Sequence, residues 1–340
     1  MVFASLFALA LLPQAATVPK KAEGEKVTLA RRLKVGERLS YIVKAAYTNE
    51  EKSGDVLTFV PSDQEVRYNF TLDTLREKGD GIVEAYYLRP TMTVTIGDTG
   101  ESGPVSKVQK INQRVRLTLA PNNELLDIKD ETPKPPKKPG GNASLRLNRQ
   151  AEGVVLSVIG EYIGEISRLS FFIGPFDSSL DLAPRLPNEA VKPGDTWKRT
   201  VGYAPQKTKG DGAKMATQRL DYTFRYDGLM QSRGKKVQRV SANLNLKTDL
   251  AAFGRQLGAS LGDSIINKCP VTLDATIEYD LDPVNFQTLR AVANSSNSYQ
   301  IYLRDRPTPI QEGRARGTTT LSLLSRGPTP AGATTVKKGG

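Results

Sequence analysis

Val271-Thr272-Leu273-Asp274-Ala275-Thr276-Ile277-Glu278-Tyr279-Asp280-Leu281 alternates apolar and polar side chains without a break. Successive side chains of a strand point to opposite faces. The run therefore lays Val271, Leu273, Ala275, Ile277, Tyr279 and Leu281 on a dry face and the residues between them on a wet one. The same period of two extends outward. Leu220, Tyr222, Phe224 and Tyr226 alternate with polar partners ahead of Asp227-Gly228, read as a turn, and Val240, Ala242, Leu244 and Leu246 repeat the pattern. Toward the N-terminus it continues less regularly through Leu39–Tyr47, Val66–Leu72, Ile82–Leu88 and Val115–Leu119. Pro121-Asn122-Asn123 then turns the chain into Leu125–Ile128. Strands punctuated by Gly, Asp and Asn at this spacing predict meandering antiparallel sheets.

Two stretches change period. Leu147, Ala151, Val155, Val158, Ile159, Tyr162, Ile163, Ile166 and Leu169 follow helical spacing, with Glu161, Glu165 and Arg168 expected on the opposite, wet side. Leu250, Phe253, Leu257, Leu261 and Ile265 predict a second helix ahead of the Cys269-Pro270 stop. Each interior glycine weakens such a helix by roughly 1 kcal/mol. Gly160 and Gly164 form a small-xxx-small pair, read as close packing of the helix on a sheet. The expected fold class is α+β and β-dominated: two curved antiparallel sheets, half-barrel-like, each packed against a helix.

Composition divides the chain further. Residues 1–16 read as a signal peptide, because Val2–Leu12 is an apolar run too short to span a bilayer, ended by Pro13 and followed by Gln14-Ala15-Ala16. No later stretch has about 18 uncharged apolar residues, so the expected mature chain has no transmembrane span and is exported, to the periplasm or beyond. A β-rich half is expected over 17–131. A linker over 132–143 carries the Pro/Lys/Gly run Thr132–Gly141, and a helix-plus-β half follows over 144–326. The Gly/Pro/Thr/Ala/Lys-rich residues 327–340 are expected to form a disordered tail. Lys34-Val35-Gly36-Glu37 and Lys192-Pro193-Gly194-Asp195 each turn into a strand, which suggests two halves of related construction.

The 340 residues include 48 Lys+Arg against 36 Asp+Glu, one cysteine and no histidine. Without histidine, Ser-His-Asp and Cys-His catalysis and His-ligated metals are excluded. One cysteine excludes an intrachain disulfide and a Cys-cluster metal site. The net charge of +12 is spread over short clusters such as Lys20-Lys21, Arg31-Arg32 and Lys137-Lys138 at ends and turns, with no aromatic RNA-binding signature. Solvated strand faces account for it. The polyanions an exported protein meets are lipid head groups and cell-surface polymers rather than nucleic acid.

No motif in the chain carries catalysis. Gly258-Ala259-Ser260-Leu261-Gly262 matches a nucleophile elbow but lies in a helical pattern, and no histidine is present to take the serine proton. Ser232-Arg233-Gly234-Lys235 matches S-x-x-K without its companion elements and reads as a hairpin turn. Gly228–Lys236 is one residue too long for a phosphate loop. No carboxylate pair is singled out, and Cys269 is expected to pack as a small apolar residue. No catalytic, cofactor-binding or metal-binding residue is therefore assigned.

Leu186-Pro187-Asn188-Glu189-Ala190-Val191-Lys192-Pro193-Gly194-Asp195-Thr196-Trp197 resembles the LP-x-x-x-VK-x-GD-x-W motif of an uncharacterised family of exported bacterial β-rich proteins, a domain of unknown function. Those proteins also carry a K-x-G-E turn into a first strand, as Lys34–Tyr41 does here. The resemblance implies export and a β-rich architecture, and does not indicate an activity. It marks Pro187, Val191, Gly194, Asp195 and Trp197 as motif residues; Trp197, the sole tryptophan, opens a strand and reads as a structural anchor against a sheet, with a ligand-stacking platform as the alternative. A curved sheet around an amphipathic helix leaves room for an apolar groove. The expected function is thus a non-enzymatic envelope protein that binds a lipid or other apolar ligand, or another envelope component. The alternatives are an assembly module pairing through strand edges, and a carboxylate-dependent hydrolase of a cell-wall polymer.

Overall fold

The computed structural model describes residues 25–54, 58–97, 103–133, 151–173, 183–203, 218–252 and 266–330. The first five strands form a meander: β1 (Glu37–Ser53), β2 (Val60–Gly79), β3 (Ile82–Ile96), β4 (Val105–Leu119) and β5 (Leu125–Asp130). Helix α1 (Ala151–Ser170) follows. Then come β6 (Thr196–Tyr203), β7 (Gln218–Ser232), β8 (Lys235–Asp249), the short β9 (Ile266–Lys268), β10 (Pro270–Leu281), β11 (Thr288–Leu303) and β12 (Gln311–Pro328).

All twelve join one antiparallel sheet in the order β5-β4-β3-β2-β1-β12-β11-β10-β8-β7-β6, with β9 on β11. The two sheets expected from the sequence are the two wings of this single sheet. They are joined where β12 pairs with β1 along its full length, from Glu37 opposite Pro328 to Ser53 opposite Gln311. The sheet does not close on itself; β5 and β6 are its ends. One apolar cluster draws from both wings, from Leu39, Val43, Tyr87 and Leu117 to Phe224, Leu273 and Tyr279.

β10 shows why the alternating pattern forms a strand here. Val271, Leu273, Ala275, Ile277 and Tyr279 are at most 4% exposed, while Asp274, Thr276 and Glu278 face solvent. The alternation ends at Asp280, buried beside a bulge and bonded to Ser232 Oγ at 2.7 Å and Arg239 Nη2 at 2.7 Å.

Several local readings are corrected. Asp227-Gly228 is not a turn but a bulge inside β7, where the register shifts and Gly228 takes φ +101°. A positive-φ glycine serves a bulge as well as a turn. The hairpin turn falls at Arg233-Gly234, with φ of 49° and 78°. Strand β12 runs on to Pro328, past the point where the tail was expected to begin. Glu165, expected on the wet side of α1, is buried, as is Arg31 of the supposed surface pair Arg31-Arg32. A charge placed inward on an otherwise amphipathic helix leaves no trace in the hydrophobic period. Of the second predicted helix only Leu250–Ala252 is described, in a helical turn. The signal peptide, most of the linker and Gly258–Gly262 lie outside the described residues.

The two K-x-G-acid turns share their hydrogen bonds. Glu37 N–H donates to Lys34 C=O at 3.0 Å and Gly36 N–H to Thr74 of the adjoining β2 at 2.9 Å. Asp195 N–H donates to Lys192 C=O at 3.0 Å and Gly194 N–H to Tyr226 of the adjoining β7 at 2.7 Å. Thr74 and Tyr226 each sit at a register shift, so the two wings start the same way.

Candidate functional site

Helix α1 lies on the apolar face of the sheet, against β10 and β11, with Ile159, Tyr162, Ile163, Ile166 and Leu169 turned into the core. Its C-terminal end is pinned across the junction of the wings. Tyr68 Oη donates to Phe172 C=O at 3.0 Å, Thr319 Oγ1 donates to Phe171 C=O at 2.7 Å, and Asn297 Nδ2 donates to Ser170 Oγ at 2.9 Å. The Phe171 ring stacks on Tyr47 with centroids 4.3 Å apart.

Gly160 and Gly164 do not make the close contact their spacing suggested. A Cβ built on either would meet nothing within 4 Å. The glycines instead open one wall of a 470 Å³ groove between α1 and the strands. Apolar lining comes from Ile163 and Ile173 on the helix side and from Val66, Met92, Val94 and Ala315 on the strands. Polar lining comes from Gln64, Gln109, Ser167, Asn297 and Gln311, and the charged lining residues are Arg168, Arg314 and Glu51. The volume falls within the range of pockets that hold small molecules, roughly 300–1,000 Å³.

Tyr47 and Tyr299 also line the groove. Burial pushes each hydroxyl up to about 12, with Arg168 working against the shift at Tyr47 and Glu51 adding to it at Tyr299. Both stay protonated at neutral pH. Tyr47 Oη donates to Gln64 Oε1 at 2.9 Å, and Tyr299 Oη accepts from Gln311 Nε2 at 3.1 Å. Arg314 pairs with Glu50 and lies over the Phe59 ring at 4.4 Å. Glu51 is the single carboxylate among the described lining residues. The arrangement can bury an apolar body and bond a polar end. It does not assemble the two facing carboxylates that glycoside hydrolysis uses.

A second concavity of 1020 Å³ lies on the opposite, polar face, lined by Asp63, Glu65, Asp274, Arg316 and neutral residues such as Asn243 and Ser296. Cross-strand bonds occupy two of its three carboxylates: Thr48 Oγ1 donates to Asp63 at 2.6 Å, and Asn245 donates to Asp274. That is the pairing of an ordinary solvated sheet face.

The motif residues gather far from the groove, at the start of β6. Val191 bridges Val27 through reciprocal backbone bonds of 2.8 and 3.0 Å, and Pro187 is buried. Asp195 Oδ2 accepts from Lys192 N–H at 3.0 Å, and Gly194 takes φ +91°. Trp197 stacks on Phe224 with centroids 5.5 Å apart and donates its indole N–H to Arg185 C=O at 2.7 Å. Ser232 donates to Asp280, and Cys269 is fully buried, its thiol pushed up to about 12 by burial and by Asp249. Of the groove, the sequence signalled only α1 and its two glycines. Tyr47 reads as the end of an ordinary strand, and Tyr299 and Arg314 lie in β11 and β12, to which the sequence reading assigns no strand. Among the described residues no group of three or more Cys, Asp and Glu is placed to hold a metal, and no helix is long and apolar enough to cross a membrane.

No protein-family model matches the chain, and no curated protein matches it. Among solved structures it is similar to lipovitellin, described for its lipid–protein interactions, at 10% identity and a TM-score of 0.40, over 89% of this chain and 26% of that one. It is also similar to an outer membrane channel from Pseudomonas putida F1, at 10% identity and a TM-score of 0.22, over 86% of this chain and 97% of the channel. A third similarity is to a DUF1329 family protein from Desulfovibrio piger, at 7% identity and a TM-score of 0.14, over 83% and 85% of the two chains. The chain thus spans about a quarter of the lipovitellin chain. At these scores the likenesses carry no argument about what the protein does.

Proposed function

We propose that the protein is an exported, non-enzymatic envelope protein that binds an amphipathic ligand in the groove beside α1. The carrying observation is the gap at Gly160 and Gly164, where a helix otherwise seated on the sheet stands clear of it over a half-apolar, half-polar wall. Apolar lining from Val66, Met92, Val94 and Ile163 suits an acyl or similar apolar body, and Arg168 suits an anionic end. The signal-like Val2–Leu12 run supports export.

The test is native mass spectrometry of the full chain purified from an exporting host, followed by displacement of a fluorescent fatty-acid probe. A retained lipid-sized mass and saturable probe binding, lost in Gly164→Leu, are expected. A protein with no retained mass and no saturable probe binding would sink the reading.

A second reading, assembly through strand edges, draws on β5. This short end strand exposes Leu126 to 50% and Ile128 to 46%. Light scattering coupled to size exclusion separates the two: a stable oligomer that Ile128→Lys dissolves supports the edge.

A further inference from the structure

We propose that Arg31, with Arg185 beside it, forms a binding site for one oxyanion, a carboxylate or a phosphate, at the end of the sheet away from the α1 groove. The site is built by the segment that precedes β1. Arg31 N–H donates to Pro121 C=O at 2.7 Å and Arg32 N–H to Asn285 C=O at 2.8 Å, so the segment is tied to one turn of each wing, between β4 and β5 and between β10 and β11. Arg32 stays exposed, while Arg31 turns inward and is 8% exposed.

Among the described residues, Nε and Nη2 of the Arg31 guanidinium have no hydrogen-bond partner, and no carboxylate forms an ion pair with it. Its electrostatic neighbours are Tyr41 and a second cation, Arg185. Arg185 is fixed in place: its guanidinium donates to Asn123 C=O, and its own carbonyl accepts the Trp197 indole N–H at 2.7 Å. Asn123 is held in turn by Nδ2 donating to Pro184 C=O at 2.6 Å. The carboxylate that acts on Tyr41, Glu37, is committed to Arg326 at 3.7 Å and to Gln287 Nε2 at 3.3 Å.

A buried charge without a counter-charge is among the most expensive arrangements in a protein interior. Burial, with Arg185 adding to it, pulls the Arg31 guanidinium down to about 10, which still leaves it charged at neutral pH. The Tyr41 hydroxyl, pushed up by burial to about 12, stays protonated and able to donate. Planar N–H donors beside a second cation are the chemistry that recognises carboxylate and phosphate. A free anion and a lipid head group share that chemistry.

The test uses the full chain at fixed ionic strength, with inorganic phosphate titrated in a calorimeter against a chloride control. Sedimentation with phosphatidylglycerol vesicles, and with phosphatidylcholine vesicles as control, forms the second arm. Saturable phosphate binding identifies a free-anion site; binding to phosphatidylglycerol alone identifies a head-group site. In either case Arg31→Met abolishes binding and Gly164→Leu leaves it intact. Arg31→Lys, which keeps the charge and loses the planar fork, binds roughly tenfold more weakly. The proposal is overturned if the wild-type chain binds neither phosphate nor phosphatidylglycerol, or if the Arg31 variants bind as the wild type does.

Discussion

The Tyr299 ring on β11 covers Gly313, its register partner on β12, so closely that a Cβ at Gly313 would fall 2.2 Å from the ring. The glycine is there because the aromatic ring needs its place. Gly313→Ala is expected to lower stability by about 1–3 kcal/mol, the range for overpacking a filled site. Urea unfolding followed by Trp197 fluorescence measures it, and a neutral substitution would show that the ring moves aside freely.

At Gly164 the opposite holds, since nothing stands within 4 Å of the missing Cβ. Gly164→Ala should stabilise the chain by about 0.5–1 kcal/mol through helix propensity alone. Gly164→Leu should fill the groove and weaken fatty-acid probe binding at least about tenfold, the equivalent of roughly 1.4 kcal/mol. Thermal melts with and without probe separate the two effects. Unchanged probe affinity in the leucine variant would place the ligand elsewhere.

Gly36 and Gly194 hold φ of +77° and +91° with open space around them, so substitution there meets strain without a clash. Alanine at either should cost about 1–2 kcal/mol, and by similar amounts, because the hydrogen bonds around the two turns match. Asparagine should cost less at both. Paired urea titrations check this; a large inequality would mean the two turns share only their shape.

Glu84 is buried among Arg76, Lys78 and Arg116, at 3.0, 3.0 and 3.3 Å. Burial alone would raise its carboxyl; the hydrogen bonds and charges of Arg76 and Lys78 outweigh it and hold the group below the usual carboxylate range. A depressed folded value means the stabilisation is complete above the unfolded value, near 4.5, and is lost as pH falls through the folded one. Stability of the wild type should therefore decline on acidification from about pH 5. Glu84→Gln should be weaker at pH 7 and decline less steeply. Urea midpoints of both chains between pH 7 and pH 3 decide it; parallel curves would remove Glu84 from the acid response.

What the sequence made legible was the strand, not the sheet. In β10 the alternation from Val271 to Tyr279 can be read residue by residue, because one face is dry and the period is local. Pairing of β1 with β12 leaves no local mark, since it joins Glu37 to Pro328 across nearly the whole chain, and so one sheet read as two. The groove was half visible. Gly160 and Gly164 stood out, but a small-residue pair looks the same whether a neighbour fills the space beside it or nothing does. Arg31 was hidden by Arg32: two adjacent basic residues suggest solvent, and only the path of the chain across the sheet end turns one of them inward.

The zipper between β1 and β12 also bears on how the chain acquires its shape. Each meander is built from neighbours in sequence and can form early, whereas the seam must bring together segments separated by most of the polypeptide. Closing so long a loop costs entropy before any contact repays it, and contacts of this range slow folding. The two wings are therefore expected to gain hydrogen-exchange protection first, and the seam last. Until then the facing edges of β1 and β12 stand unpaired, the interval in which a newly made chain is most exposed to joining with another copy of itself.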